Sequence, residues 1–143
     1  MDLLDVNVLI HAYRTDAPRH SEYKEFLETL IDNVQTFAIP SIVFSGFFRI
    51  VTNRRAFKTP SPFSKALEFA ERLHALPYCE TIVPGTRHWQ IFTQICQAGN
   101  AQGSAVSDAY LAAMAIENGY ELVTADRGFG RWPGLKWRHP LGD

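Results

Sequence analysis

Apolar positions along the chain alternate between two patterns. Short runs of adjacent apolar residues read as buried strands, and runs with apolar residues three and four apart read as amphipathic helices. Leu3-Leu4-Asp5-Val6 is the first strand, with a short helix from about Asn7. Between His20 and Asn33, the residues Tyr23, Phe26, Leu27, Leu30 and Ile31 keep helical spacing. Gln35 to Ile39 is a strand, Pro40 opens a helix reaching about Asn53, and 54–61 is a loop. Ser61-Pro62 has the form of an N-cap with proline at the first helical position, ahead of Phe63, Ala66, Leu67, Ala70 and Leu73 on one face. Thr81-Ile82-Val83 is a strand, and Trp89, Phe92, Ile95 and Cys96 mark a helix stopped by Gly99. After a loop over 99–103, Ser107 is placed to cap a helix that opens at Asp108 and ends at Gly119. A strand over Glu121–Thr124 and a short one near Leu135–Trp137 close the chain.

Strands alternating with helices predict parallel βαβ units: an α/β fold, a three-layer α/β/α sandwich around a central, mainly parallel sheet. The length of 143 residues, with no linker and no repeat, predicts one domain over 1–143. No apolar run approaches the roughly 18 to 20 residues that span a bilayer. The opening MDLLDVNVLIHAY lacks a basic leader and a small-residue cleavage site, so the expected location is cytoplasmic. In that reducing compartment Cys79 and Cys96 are expected as free buried thiols. The five histidines (His11, His20, His74, His88, His139) show no metal-binding spacing and read as surface or loop residues.

A formal charge of -1 hides an uneven distribution. From Asn33 to Leu67 there is no acid, while Arg49, Arg54, Arg55, Lys58 and Lys65 are present. From Arg127 to Arg138 there is again none, and Arg127, Arg131, Lys136 and Arg138 interleave with Phe129, Trp132 and Trp137. Such stretches suit an anionic polymer that offers phosphates and stackable bases. Two ordinary solvated faces are the alternative.

Asp5, Asp108 and Asp126 each stand where an apolar strand runs out or a helix begins. In parallel sheets, ligands bind beyond the carboxyl ends of the strands, so the three acids point to one shared pocket. Carboxylates so placed repel one another unless a cation sits among them. Hard oxygen ligands favour Mg²⁺ or Mn²⁺, which activate water and accept phosphate oxygens, chemistry suited to phosphodiester hydrolysis. Asn7 could add an amide oxygen or orient a water, and Thr124 could hydrogen-bond a carboxylate or substrate. Taken singly, Asp108 could be a first-turn acid answering the helix dipole and Asp126 a turn residue.

The segments LLDVNVLIHAY, SDAYLAAMAIENG and ELVTADRGFGRWPGL, in this order across the chain, resemble the motifs of the PIN domain, and within it of VapC-type toxins from toxin–antitoxin pairs. The resemblance implies a compact α/β/α fold and a Mg²⁺- or Mn²⁺-dependent endoribonuclease cutting structured RNA such as tRNA or rRNA. It also implies a cognate VapB-type antitoxin and a homodimer. By matching motifs, Asp5, Asp108 and Asp126 are the implied metal-binding and catalytic acids, with Asn7 and Thr124 in support. Arg49, Arg127 and Arg131 are the candidates for RNA contact.

One position departs from the family pattern. Its usual glutamate in the helix after the second strand is replaced here by Gly46, within Ile42-Val43-Phe44-Ser45-Gly46-Phe47-Phe48-Arg49. Ile42, Gly46, Arg49 and Asn53 share one helical face, while Phe44, Phe47, Phe48 and Val51 form the core side. Glycine inside a helix costs about 1 kcal/mol relative to alanine. Either a close helix contact excludes a Cβ here, or the chain is an impaired form that has lost one acid by a single-nucleotide change. Gly128 is a second departure, since relatives often carry another acid there, and it leaves a second metal position in question.

Two other classes compete. A haloacid-dehalogenase-like phosphatase also uses an aspartate after the first strand, but expects an acid where Asn7 stands. A catalytically inactive protein of the same fold would engage antitoxin or RNA only, with the apolar helix faces over 20–33 and 44–51 as docking surfaces.

Overall fold

In a computed structural model that describes residues 1–142, the chain forms five strands and six α-helices. The order is β1 (Asp2–Leu4), α1 (Val6–Tyr13), α2 (His20–Asp32), β2 (Phe37–Pro40), α3 (Ser41–Val51) and α4 (Phe63–His74). It continues with β3 (Cys79–Ile82), α5 (His88–Ala98), α6 (Ser104–Asn118), β4 (Glu121–Val123), a 3-10 turn over Arg127–Arg131 and β5 (Trp137–Arg138). The strands make one sheet in the order β3-β2-β1-β4-β5. Every pairing is parallel, with Leu3 opposite Ala38 and Leu122, and Leu4 opposite Val123. The sheet is therefore wholly rather than mainly parallel.

β1 and β2 are buried at every residue, as central parallel strands must be when helices cover both faces. Edge strand β3 buries only Cys79 and Ile82. On the helix side, α1 packs on α2 and α3, α3 packs on α4, and α5 pairs with α6. Phe37, Phe47, Leu3, Leu4, Leu9, Ile39 and Met114 are among the largest fully buried side chains. Each contributes roughly 1.5–3 kcal/mol by leaving water. Tyr23, Leu27 and Leu30 of α2, and Phe44, Phe47 and Val51 of α3, lie in this core. No helix among the described residues is long and apolar enough to cross a membrane.

Several local expectations are corrected. β1 stops at Leu4, and Asp5 caps α1 rather than extending the strand. Ser61 does not cap α4: its hydroxyl accepts from Arg14 Nη1 at 2.9 Å, and Pro62 occupies the cap position. α6 begins at Ser104, because Gly103 turns the chain with φ +59 and Ala105 and Val106 continue as helix. Ser107 is therefore inside the helix and Asp108 lies in its second turn. Cys79 and Cys96 are free, but only Cys79 is buried, and burial pushes its thiol up to about 11. Four of the five histidines sit in helices, and His88 is buried with Nε2 at 2.9 Å from the Tyr110 carbonyl oxygen.

Candidate active site

The sheet order explains why distant residues meet. From β1 the chain winds outward through β2 and β3, then returns to place β4 on the other side of β1. The direction of winding reverses between β1 and β4, and a crevice opens beyond their carboxyl ends. Asp5 follows β1, Thr124 and Asp126 follow β4, and the Asp5 amide continues the ladder by donating to the Val123 carbonyl at 3.1 Å.

The Asp5 carboxylate is 6% exposed and bonded on both oxygens. Oδ1 accepts from the Val6 amide at 2.6 Å; Oδ2 accepts from Thr124 Oγ1 at 2.7 Å and Asn7 Nδ2 at 3.2 Å. Asn7 Nδ2 also donates to Thr124 Oγ1 at 3.0 Å, while its Oδ1 accepts from the Ala125 amide at 3.1 Å. Fully buried Thr124 receives a further bond from the Asp126 amide at 3.0 Å. Asn7 and Thr124 thus lace the ends of β1 and β4 together. The Asn7 amide oxygen, considered above as a ligand, is engaged by backbone.

Asp126 is exposed and caps the 3-10 turn, its Oδ1 accepting from the Gly128 amide at 2.8 Å. A Cβ at Gly128 would stand 2.9 Å from that oxygen, so a side chain there would press on the carboxylate. The carboxylate of Asp108, half-buried on α6, has no hydrogen bond among the described residues, and neither does Asp126 Oδ2.

The three acids share one electrostatic neighbourhood. Burial raises the Asp5 carboxyl above its ordinary value; Thr124 and the Val6 amide oppose this, and the charges of Asp108 and Asp126 add to it. Burial also raises Asp108, helped by repulsion from Asp126 and countered by Arg131. Oxygen-only donors, mutual repulsion and open lone pairs on Asp108 and Asp126 match the chemistry of a hard cation site. Yet no group of three or more His, Cys, Asp or Glu among the described residues stands together closely enough to hold a metal ion.

Position 46 bears on that incompleteness. Gly46 is half-buried on α3, and a Cβ there would meet only Val6 Cγ2 at 3.7 Å, ordinary van der Waals contact. No close helix contact excludes a side chain. The neighbour it would meet, Val6, follows Asp5 in the chain and opens α1.

The basic segment over 127–138 is less of a binding surface than its composition suggests. Phe129 and Trp132 are buried, and Arg138 forks onto both Asp2 oxygens at 2.7 Å while bonding Glu121 at 2.6 Å. Arg127 and Arg49 remain exposed, with no hydrogen bond from their side chains among the described residues. Arg131 is exposed but bonded to the Gly99 carbonyl at 2.7 Å, a contact across the fold that no local pattern announces. The largest cavity described, about 740 Å³ among residues such as Tyr13, Leu27, Ile31 and Phe69, contains none of the three acids.

The PIN domain profile matches residues 3–135. Ribonuclease VapC43 of Mycobacterium tuberculosis is 42% identical over 138 residues, covering 96% of this chain and 94% of that protein. Ribonuclease VapC25 of the same organism is 36% identical over 140 residues, covering 98% and 99%. Among solved structures, VapBC2 from Rickettsia felis bound to a promoter DNA fragment superposes with a TM-score of 0.68 at 24% identity, covering 96% of this chain and 97% of that one. VapC20 of Mycobacterium tuberculosis, a sarcin-ricin loop cleaving toxin, superposes with a TM-score of 0.64 at 16% identity, covering 95% and 99%. With its sheet order, its acids at the switch point and this match along nearly its whole length, the chain belongs to the PIN domain family, among the VapC-type proteins.

Proposed function

We propose that this protein is the toxin of a type II toxin–antitoxin pair, an endoribonuclease dependent on Mg²⁺ or Mn²⁺ that cuts structured RNA and is held inactive by a VapB-type antitoxin. The observation that carries the reading is the mutual repulsion of Asp5, Asp108 and Asp126 near the carboxyl ends of β1 and β4, in a chain similar to VapC ribonucleases over almost all its length. Asp5, Asp108 and Asp126 would hold the cation, which when bound activates water and stabilises charge on the attacking and leaving oxygens. Asn7 and Thr124 aim the Asp5 carboxylate, Thr124 opposing the rise that burial causes, and the Gly128 amide orients Asp126. Arg49 and Arg127 supply positive charge for RNA phosphates.

In this chain Gly46 leaves vacant a position where a fourth acid would face Asp5, so cleavage is impaired. The room for a side chain at Gly46 supports that reading. The test is Gly46→Glu, assayed on total RNA with Mg²⁺ or Mn²⁺: cleavage should rise by about tenfold or more, consistent with the cost of disturbing a metal shell. Unchanged cleavage would sink the proposal of impairment. A second reading, a PIN-fold protein that only binds antitoxin or RNA, is favoured by the same glycine. Co-purification with a small antitoxin, with no cleavage even after Gly46→Glu, would establish it instead.

A further inference from the structure

Arg131 stands apart from the other basic residues of its segment. One edge of its guanidinium is fixed: Nη2 donates to the Gly99 carbonyl at 2.7 Å, and the plane lies 4.6 Å from the centre of the Trp132 ring. The support beneath it is rigid. Trp132 is buried, and its Cζ3 would stand 3.0 Å from a Cβ at position 99, so that any side chain there would press on the ring. The contact joins the 3-10 turn that Asp126 caps to the loop leading into α6, the helix that carries Asp108. The other edge is open. Nε and Nη1 make no hydrogen bond among the described residues, and the side chain is exposed. Its charge is felt at Asp108, where it opposes the effects of burial and of Asp126.

An arginine held along one edge by backbone and ring, with two donors left free beside an acidic cluster, has the form of a fork for a tetrahedral anion. We propose that Arg131 is a pre-organised phosphate clamp, binding a backbone phosphate of the RNA next to Asp108 while its far edge stays anchored on Gly99. The inference deepens the ribonuclease reading and rests on it. Pre-organisation is the point: a side chain already immobilised loses little further entropy when the phosphate arrives. Lysine has no such fork, so it cannot hold Gly99 and a phosphate together in one plane.

The impaired chain suits the test, because RNA binding can be followed without turnover. Fluorescence anisotropy with a short labelled single-stranded RNA, measured over a range of salt, would compare the chain with Arg131→Gln, Arg131→Lys and a matched charge control, Lys24→Gln on exposed α2. Arg131→Gln should weaken binding about tenfold and reduce the slope of log K against log salt by about 1, as for loss of one phosphate contact. Arg131→Lys should restore the slope without restoring the affinity, and Lys24→Gln should change neither. Equal losses in Gln and Lys with an unchanged slope, together with a lowered melting point, would make Arg131 a loop latch and overturn the clamp. Full binding by Arg131→Gln would overturn the clamp alone. If the RNA neither binds this chain nor is cut by the Gly46→Glu form, the ribonuclease reading and the clamp fall together.

Discussion

Two acidic clusters occupy opposite ends of the same pair of strands, and they are built on opposite principles. At the amino ends of β1 and β4, Asp2 and Glu121 lie side by side in register and share one cation, the forked Arg138. At the carboxyl ends, Asp5, Asp108 and Asp126 repel one another and among the described residues none is ion-paired; Arg131 offsets Asp108 from a distance, and hydrogen bonds hold Asp5. The first cluster is neutralised by the chain itself and serves the fold. The second keeps mutually repelling charges at the carboxyl ends of β1 and β4, the edge where parallel sheets bind ligands, and the proposed metal site rests on that difference. Acid content alone does not tell them apart. What separates them is whether a cation from the same chain is hydrogen-bonded to the acids, as Arg138 is at the amino end.

The sharpest way to break the contrast is to remove an acid at the carboxyl end. In a Gly46→Glu background, Asp5→Asn should lower RNA cleavage more than about a hundredfold, beyond the usual cost of outer-shell changes. Retained cleavage would take Asp5 out of the mechanism. Thr124→Val comes next, since it deletes the hydroxyl that donates to Asp5 and accepts from Asp126 and Asn7. Mn²⁺ affinity, followed by calorimetry in the same background, should fall by about ten- to a hundredfold, and an unchanged value would show that the lacing does not support the site.

At the amino end the expected effect is on stability instead. Arg138→Met leaves Asp2 buried without its partner and should cost about 2 kcal/mol in urea unfolding, less than for a fully buried pair because Arg138 is partly exposed. Mn²⁺ affinity should not change, and a matching loss of affinity would mean the two ends are not independent. The smallest effect concerns pH. Asp5 and Asp108 hold their protons more tightly folded than unfolded, so the stability these two groups contribute is fully present below the ordinary carboxylate value and is lost as pH rises through the raised ones. Asp108→Asn should therefore flatten that decline and raise the melting temperature slightly at neutral pH. A lower melting temperature would show that Asp108 is not destabilised by its neighbours.

Much of the fold was legible because buried parallel strands and amphipathic helices leave different periods in the chain. The runs at Leu3-Leu4 and Leu122-Val123 became β1 and β4, and Tyr23, Leu27 and Leu30 faced the core as their spacing predicts. Errors fell where polar residues serve either loop or helix. Ser107 looked like a cap, but Gly103 with its positive φ set the start of α6 a turn earlier. The composition of the 127–138 segment suits either a stacking surface or a solvated face, yet Phe129 and Trp132 close the core. Arg138 was grouped with basic residues available to RNA, because nothing local showed that Asp2, at the far end of the chain, lies within its reach.

From the amino-acid order alone come the family, the α/β class, the three candidate acids and a glycine at position 46 where the family pattern leads one to expect a glutamate, since each rests on residue type and spacing. Folding decided the rest. The reversal of winding between β1 and β4 brought Asp5, Thr124 and Asp126 to one crevice, and long-range contacts sorted the arginines: Arg138 into an internal ion pair, Arg131 onto Gly99 beside the acids. Which charges meet and cancel is set by distances between residues far apart in the chain, and a linear pattern does not contain those distances.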